Sequence, residues 1–229
     1  YFVSKLGTSA SGAVGIIFSL MAIMQSLGFM IGMGSGSLTS RFLGAGEKDN
    51  ASKVCSSAIL LALIVGSVSA VIGNIFNKEL VSHLGATKTI LPYAMDYGKY
   101  ILFGAPFIIT SFVMNNLLRF QGKAFLSMIG LTTGGLLNIA LDPLFISGFG
   151  MGISGAAIAT LVSQIISFSI LLSMFVRKKS TTELSIRFIS RKIRVYYEIV
   201  TTGLPSLCRQ GMAAISGILL NQAAGVYGD

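Results

Sequence analysis

Charged residues are scarce in this chain of 229 residues. Asp, Glu, Lys and Arg together make up 11% of it, whereas apolar residues make up 53%. A soluble domain carries about 25% charged residues, and the mean hydropathy here is +0.79. The composition therefore excludes an ordinary soluble domain and predicts an integral membrane protein.

The residues that build metal centres, disulfides and hydrolytic sites are also scarce. The two cysteines, Cys55 and Cys208, fall within or at the ends of apolar stretches, and the single histidine, His83, lies in a polar loop. This pattern indicates neither a disulfide framework nor a metal cluster. An intramembrane protease or acyltransferase would need a His pair, a second Asp or a Ser/His combination at depth. We therefore expect neither an enzyme nor a cofactor.

The basic residues are distributed as membrane topology requires. The chain has 17 Lys and Arg against 8 Asp and Glu, a net charge of +9, but the basic residues lie between apolar stretches and form no patch for nucleic acid. Short loops rich in Lys and Arg stay in the cytoplasm. Such segments occur at 41–53, 119–123 and 177–194. We expect a multi-pass protein of the bacterial inner membrane with these segments cytoplasmic.

Long apolar stretches dominate what is present. A hydrocarbon core of about 30 Å needs about 20 apolar residues in a helix. Six stretches meet that length or nearly so: Ala10–Ser40, Cys55–Phe76, Tyr100–Leu118, Ala124–Ser147, Ile153–Val176 and Gly203–Val226. The predicted fold class is all-α, a polytopic transmembrane helix bundle surrounded by membrane lipid.

The segment Leu184–Val200 has a different pattern. Ile186 and Ile189 belong to an apolar series at helical spacing, and Arg187 and Arg191 belong to the opposite face. This pattern predicts an amphipathic cytoplasmic linker helix that lies in the headgroup layer beside anionic lipid. The alternative is a plain cytoplasmic linker helix.

One predicted span contains a carboxylate. Asn138 and Asp142 are four residues apart on one helical face. An Asp near the centre of a membrane helix costs about 2.5–3.5 kcal/mol, so it is a functional-site hypothesis. A very short loop makes the next span an antiparallel neighbour. Asp142 lies about 9 Å from the outer end of its span and Thr160 about 12 Å along the next, so all three side chains should meet.

Pro143 extends this hypothesis. Proline has no N–H, so the carbonyl of Ile139 loses its helical donor and the helix bends. Carboxylate, amide, hydroxyl and carbonyl oxygens suit a hard cation such as Na⁺ at Asp142. In a low-dielectric site the same carboxylate can instead hold a proton. The alternative is that Asn138 and Asp142 only cap and pack a kinked helix end.

Four further polar side chains fall within or near the spans: Gln25, Asn115, Asn116 and Gln164. Polar side chains in lipid face the bundle interior or a wet cavity. They are candidates for the lining of a substrate path, and hydrogen bonds between packed helices are the alternative.

Five short motifs resemble those of the multidrug and toxic compound extrusion (MATE) family. They are SRFLGAG (Ser40–Gly46), LRFQG (Leu118–Gly122), LNIALDP (Leu137–Pro143), GISGAAIAT (Gly152–Thr160) and GLPS (Gly203–Ser206). The resemblance implies helices two to seven of a twelve-helix protein with two six-helix lobes. Residues 1–183 would form the N-terminal lobe, 184–200 the linker and 203–229 the first helix of the C-terminal lobe. Because the chain begins with Tyr1, we expect an internal segment.

The resemblance also implies a function. In many MATE proteins an ion site of the first lobe uses an Asn and an Asp of helix five and a Thr of helix six, which Asn138, Asp142 and Thr160 match by type and spacing. An Asp of helix one completes that site, so helix one and the C-terminal lobe are expected partners. The implied activity is antiport of small organic, often cationic compounds against Na⁺ or H⁺.

The alternative is a lipid-linked oligosaccharide flippase of the same superfamily. Such proteins generally carry several basic residues in the central cavity to hold a pyrophosphate. Here the interior of the spans has almost none, with Lys99 and Arg209 near their ends. This distribution favours cationic or neutral cargo.

Overall fold

The fold is an all-α bundle, as the sequence predicts. The structure is a computed structural model that describes residues 3, 7–177 and 179–225. The described α-helices are α1 (Thr8–Gly44), α2 (Lys48–Ile75), α3 (Asn77–His83), α4 (Leu91–Phe103), α5 (Ala105–Phe120), α6 (Ala124–Pro143), α7 (Gly152–Val176) and α8 (Ile193–Gly225). A π-helical turn, Leu144–Gly148, extends α6.

Four of the described helical segments are long and apolar enough to cross a membrane: Thr8–Gly44, Lys48–Ile75, Ala124–Gly148 and Gly152–Val176. The outward side chains of α2 agree with this, because Val71 is 60% and Ile75 67% exposed although both are apolar. A surface of this kind is stable in lipid and unfavourable in water. The chain is a multi-pass membrane protein.

The span predicted at Tyr100–Leu118 differs in the structure. It is a bent pair, α4 and α5, whose axes differ by 53° at Gly104. The helical part begins at Leu91, because Pro92 fits the first turn of a helix and the polar residues that follow do not break it. The bend follows from Pro106, which cannot donate to the carbonyl of Leu102.

The linker helix predicted over Leu184–Val200 is also different. The structure has a 3-10 turn at Ile186–Phe188, followed by extended residues, and α8 begins only at Ile193. The helical spacing of the isoleucines is interrupted because the backbone N–H groups of Ser185 and Ser190 donate to serine hydroxyls of α2 instead of to carbonyls of their own segment.

The remainder of the predicted linker helix is continuous with the last predicted span. Residues 193–225 form the single helix α8. Within the described residues, α8 contains no stretch that is both long and apolar enough to cross a membrane, because Arg209 and Gln210 interrupt its apolar run. Its passage through the membrane stays a prediction.

Glycines bring α1 close to two neighbours. Gly28, Gly32 and Gly36 are spaced four residues apart and face α5, where an added Cβ would collide with Phe112, Asn116 and Phe120 respectively. Gly34 faces α8 instead, and an added Cβ there would collide with the carbonyl of Ile199. Small residues at this spacing permit close backbone contact between membrane helices. The centre of the bundle is therefore α1.

The antiparallel pair α6 and α7 positions the candidate site. Gly150 and Gly152 have positive φ values of 65° and 58°, which allow the chain to reverse within a few residues. Gly130 and Gly134 of α6 let α7 approach, and the Ser167 hydroxyl donates to the Gly130 carbonyl at 2.8 Å. These contacts fix which residues of the two helices lie at the same level.

Candidate functional site

The last turns of α6 carry Asn138 and Asp142, and the third turn of α7 carries Thr160. All three side chains are half-buried. The tight reversal at Gly150 and Gly152 brings them to one level. The structure therefore brings together the three residues that the sequence singles out.

Asn138 is the centre of the group. Its amide nitrogen Nδ2 donates to Asp142 Oδ1 at 3.3 Å and to Thr160 Oγ1 at 3.2 Å. The Thr160 hydroxyl in turn donates to the carbonyl of Ala156 at 3.0 Å, one turn earlier in α7. The carboxylate, the amide and the hydroxyl thus form one hydrogen-bonded chain between α6 and α7.

Tyr97 of α4 is a fourth member that sequence reasoning missed. Its hydroxyl lies 3.5 Å from Thr160 Oγ1, and the side chain is 6% exposed. The span predicted from the sequence begins at Tyr100, so Tyr97 lay outside it. The signal that could have found it is Pro92, which is typical of the first turn of a helix and would have extended the helix back past Tyr97.

Pro143 lies directly after Asp142. It has no N–H for the Ile139 carbonyl, and the next donor, the Leu144 N–H, bonds to Leu141 instead. The following residues change to the π-helical turn Leu144–Gly148. The helix is therefore irregular beside the carboxylate, and the participation of the Ile139 carbonyl in the site stays a prediction.

The chemistry of this group is that of one acid among neutral oxygens. The described residues contain no cluster of three or more His, Cys, Asp or Glu that could hold a metal. Within the same part of the chain, no Lys or Arg pairs with Asp142; the ion pair found is Arg194 with Glu198. Such a group can hold a monovalent hard cation or a proton, since either neutralises the single charge.

The four other polar candidates lie elsewhere. Asn115 is 4% exposed and donates to the Ser127 carbonyl at 2.8 Å, which joins α5 to α6. Asn116 is fully buried and donates to the Phe112 carbonyl at 2.8 Å. Asn115 thus makes a hydrogen bond between packed helices, as in the alternative stated above, whereas the Asn116 bond lies within α5. A place for either side chain on a substrate path stays a prediction.

Gln25 and Gln164 are half-buried. Gln164 is one turn after Thr160 on α7, whereas Gln25 is on α1. Among the described residues neither side chain hydrogen-bonds to the Asn138 group. Their place on a substrate path stays a prediction.

Comparison with known proteins supports the family resemblance. The sequence model of the MatE family matches residues 1–144. The chain is 31% identical over 231 residues to the multidrug export protein MepA of Staphylococcus saprophyticus and 30% identical over 230 residues to MepA of Staphylococcus haemolyticus. Both alignments cover 100% of this chain and 51% of the relative. The chain thus spans about half the length of the curated relatives it matches.

Solved structures give the same result for the fold. The inward-facing conformation of a multidrug resistance MATE family transporter of the MOP superfamily matches 99% of this chain and 52% of its own, with a TM-score of 0.93 and 31% identity. The outward-facing conformation of such a transporter matches 99% of this chain and 51% of its own, with a TM-score of 0.88. These relatives are transporters and not enzymes, as the sequence predicts.

Proposed function

The chain belongs to the MatE family of multidrug transporters, and from this premise we propose that the complete protein is a secondary antiporter. It exports small organic, often cationic compounds in exchange for Na⁺ or H⁺. The observation that carries this proposal is the half-buried Asp142 within an apolar helix, linked by Asn138 to Thr160. A carboxylate is costly in such a position unless an ion neutralises it during the cycle.

The side chain of Asn138 is compatible with either coupling ion. In the arrangement described above, its NH₂ group stabilises the charged carboxylate. An amide carries an oxygen acceptor opposite that NH₂ group, so rotation by about 180° exchanges the two. The rotated amide would offer oxygen to Na⁺ beside Asp142 and Thr160, or accept a hydrogen bond from a protonated Asp142. The same side chain can thus serve the empty and the loaded state.

Coupling requires that the ion and the substrate prefer different conformations. An ion on Asp142 favours one conformation of the lobe, and its release favours the conformation that holds substrate. Pro143 and the π-helical turn after it give α6 a position at which it can bend. A change of charge at Asp142 would act directly beside Pro143, the position at which α6 can bend.

The proposed orientation leaves the basic segments in the cytoplasm of a bacterial cell, in its inner membrane. Asn50 and Lys53 after the α1–α2 turn line one cavity together with Arg187 and Arg191 of the α7–α8 connection. Basic residues distant in sequence therefore lie at one end of the bundle. This common location supports the orientation.

Replacement of Asp142 by Asn tests the function. In the full-length protein, Asp142→Asn should abolish resistance to toxic organic cations in an efflux-deficient host, with expression unchanged. Asp96→Asn is the matched control, because Asp96 is an exposed carboxylate on α4, and it should keep resistance. Normal resistance in the Asp142→Asn strain would refute the role of Asp142.

The coupling ion needs a separate measurement. The full-length protein in proteoliposomes should export a fluorescent organic cation when a Na⁺ gradient or a proton gradient is imposed, and the effective gradient identifies the ion. Asp142→Asn should abolish the response to that gradient. Export that needs neither gradient would contradict the antiport proposal.

A further inference from the structure

The connection between α7 and α8 is fixed along the first turns of α2. Three backbone N–H groups donate to serine hydroxyls of that helix: Glu183 to Ser52 at 3.0 Å, Ser185 to Ser56 at 3.4 Å and Ser190 to Ser57 at 2.9 Å. Ser52 and Ser56 are one helical turn apart and Ser57 follows directly, so the three hydroxyls form a group of acceptors on α2. The side chains carried by residues 185–192 therefore have a defined position against α2.

A basic cavity lies beside this connection, where α2 begins. It has a volume of about 400 Å³ and its lining includes Lys53, Arg187, Arg191 and Lys192. Asn50 also lines it, and the amide of Asn50 donates to Glu47 Oε2 at 2.7 Å. No acidic side chain is among the described lining residues. All four basic side chains are exposed. The cavity is thus complementary to a phosphate group.

An apolar groove continues from the basic cavity. It has a volume of about 340 Å³ and lies between α2 and α7 under the connection. Leu60 and Leu63 line one wall, Phe168 and Leu172 the other, and Ile189 lines both the groove and the basic cavity. The groove runs from the level of the basic cavity into the apolar part of the two spans. Its shape and lining suit a hydrocarbon chain.

We infer that the basic cavity and the groove form one binding site for an anionic phospholipid. The phosphate of the headgroup contacts Lys53, Arg187 and Arg191, and one acyl chain lies in the groove beneath Ile189. Basic cavities between membrane helices bind anionic headgroups in this way. A free phosphate ion would satisfy the cations but leave the groove open to lipid, whereas a zwitterionic phospholipid would lack the net negative charge.

Native mass spectrometry of the full-length protein in detergent tests this inference, because it measures which phospholipids stay bound. The probes are phosphatidylglycerol and phosphatidylcholine with identical acyl chains. Phosphatidylglycerol should be retained preferentially, and Arg187→Gln with Arg191→Gln should lower its retention about 25-fold, since each basic residue near a membrane surface accounts for about five-fold. The control is Arg177→Gln with Arg194→Gln, which removes equal charge outside both cavities and should keep retention.

The groove is tested by filling it. Leu172→Trp should lower retention of phosphatidylglycerol about ten-fold, and Leu60→Trp fills the same groove from the opposite wall, so it gives the answer if the first variant fails to fold. Equal retention of the two lipids, or full retention after loss of Arg187 and Arg191, would overturn the inference. Loss with the arginine variant but not with either tryptophan variant would show a site for phosphate alone and would also overturn it. None of these readouts depends on transport.

Discussion

Thr160 is the side chain through which α7 takes part in the candidate site. Its hydroxyl accepts from Asn138 and donates to Ala156. Thr160→Val keeps the shape but removes the hydroxyl oxygen that the proposed site offers beside the ion, at a cost of about 1–3 kcal/mol. We expect the apparent affinity for the coupling ion to fall about ten-fold. The dependence of the export rate in proteoliposomes on the concentration of the coupling ion measures this affinity.

Thr160→Ser is the conservative companion, because it retains the hydroxyl. It should keep the apparent ion affinity near that of the unmodified protein. If the Val and Ser variants bind the ion equally well, the hydroxyl is no part of the site.

Tyr97 gives a separate prediction from α4. Its hydroxyl is 3.5 Å from Thr160 and the ring is buried. Tyr97→Phe removes one weak hydrogen bond, worth about 1 kcal/mol, and keeps the packing of the ring. Export should slow about five-fold, much less than in Asp142→Asn. Tyr93→Phe, which changes an exposed residue of the same helix, should have no effect on the export rate.

Local spacing explains which site residues the sequence could predict. Asn138 and Asp142 are one helical turn apart, and a short connection fixes the level of Thr160, so their proximity follows from the sequence. Tyr97 is 63 residues from Thr160 in the chain. Their contact depends on the bend between α4 and α5 and on the packing of α4 against α7, which no local pattern encodes.

Among the helices, α1 and α8 are in unusually close contact. An added Cβ at Gly203 would collide with the carbonyl of Met30, whereas one at Gly211 on the same helix would meet nothing within 4 Å. Gly203→Ala should therefore lower the free energy of unfolding by about 1–3 kcal/mol through overpacking. Gly211→Ala should leave it unchanged or raise it, because Ala favours helix over Gly by about 1 kcal/mol.

Thermal unfolding in detergent, followed by circular dichroism, compares the two variants. A Gly203→Ala protein as stable as Gly211→Ala would mean that the backbones of α1 and α8 are farther apart than described. The pair is matched, since both variants carry the same substitution on the same helix.

The helices themselves were predictable to different degrees. For Gly152–Val176 the run of apolar residues between a glycine-rich turn and a basic segment gave both bounds to within one residue of the predicted Ile153–Val176. The bend at Gly104 was missed because hydropathy carries no information on backbone direction, although Pro106 marks it. The connection before α8 was missed because Ser52, Ser56 and Ser57 bind its backbone, and such contacts between distant segments cannot be deduced from periodicity.

In the whole molecule, the contact between α1 and α8 joins the bundle to the first helix that the resemblance assigns to the second lobe. It extends from Gly34 and Gly203 at the proposed cytoplasmic end to Ser19 and Asn221 at the other, where Asn221 donates to the Ser19 hydroxyl at 3.1 Å. Transporters of this kind open one side at a time by movement of one half against the other. In this structure the proposed outer end of the contact is closed.

A reversible cross-link at that outer end tests whether it must open. A Cβ built on Gly217 lies 3.4 Å from Ser19 Oγ, the position that the sulfur of a cysteine at residue 19 would take. Cysteines at both positions are therefore near enough for a disulfide. In a Cys208→Ser background, Ser19→Cys with Gly217→Cys should cross-link on oxidation and stop export, and a reductant should restore it. Ser19→Cys with Gly211→Cys is the control, because Gly211 faces open space. Continued export by the cross-linked protein would mean that α1 and α8 stay together throughout the cycle, and the movement would then have to lie between other helices.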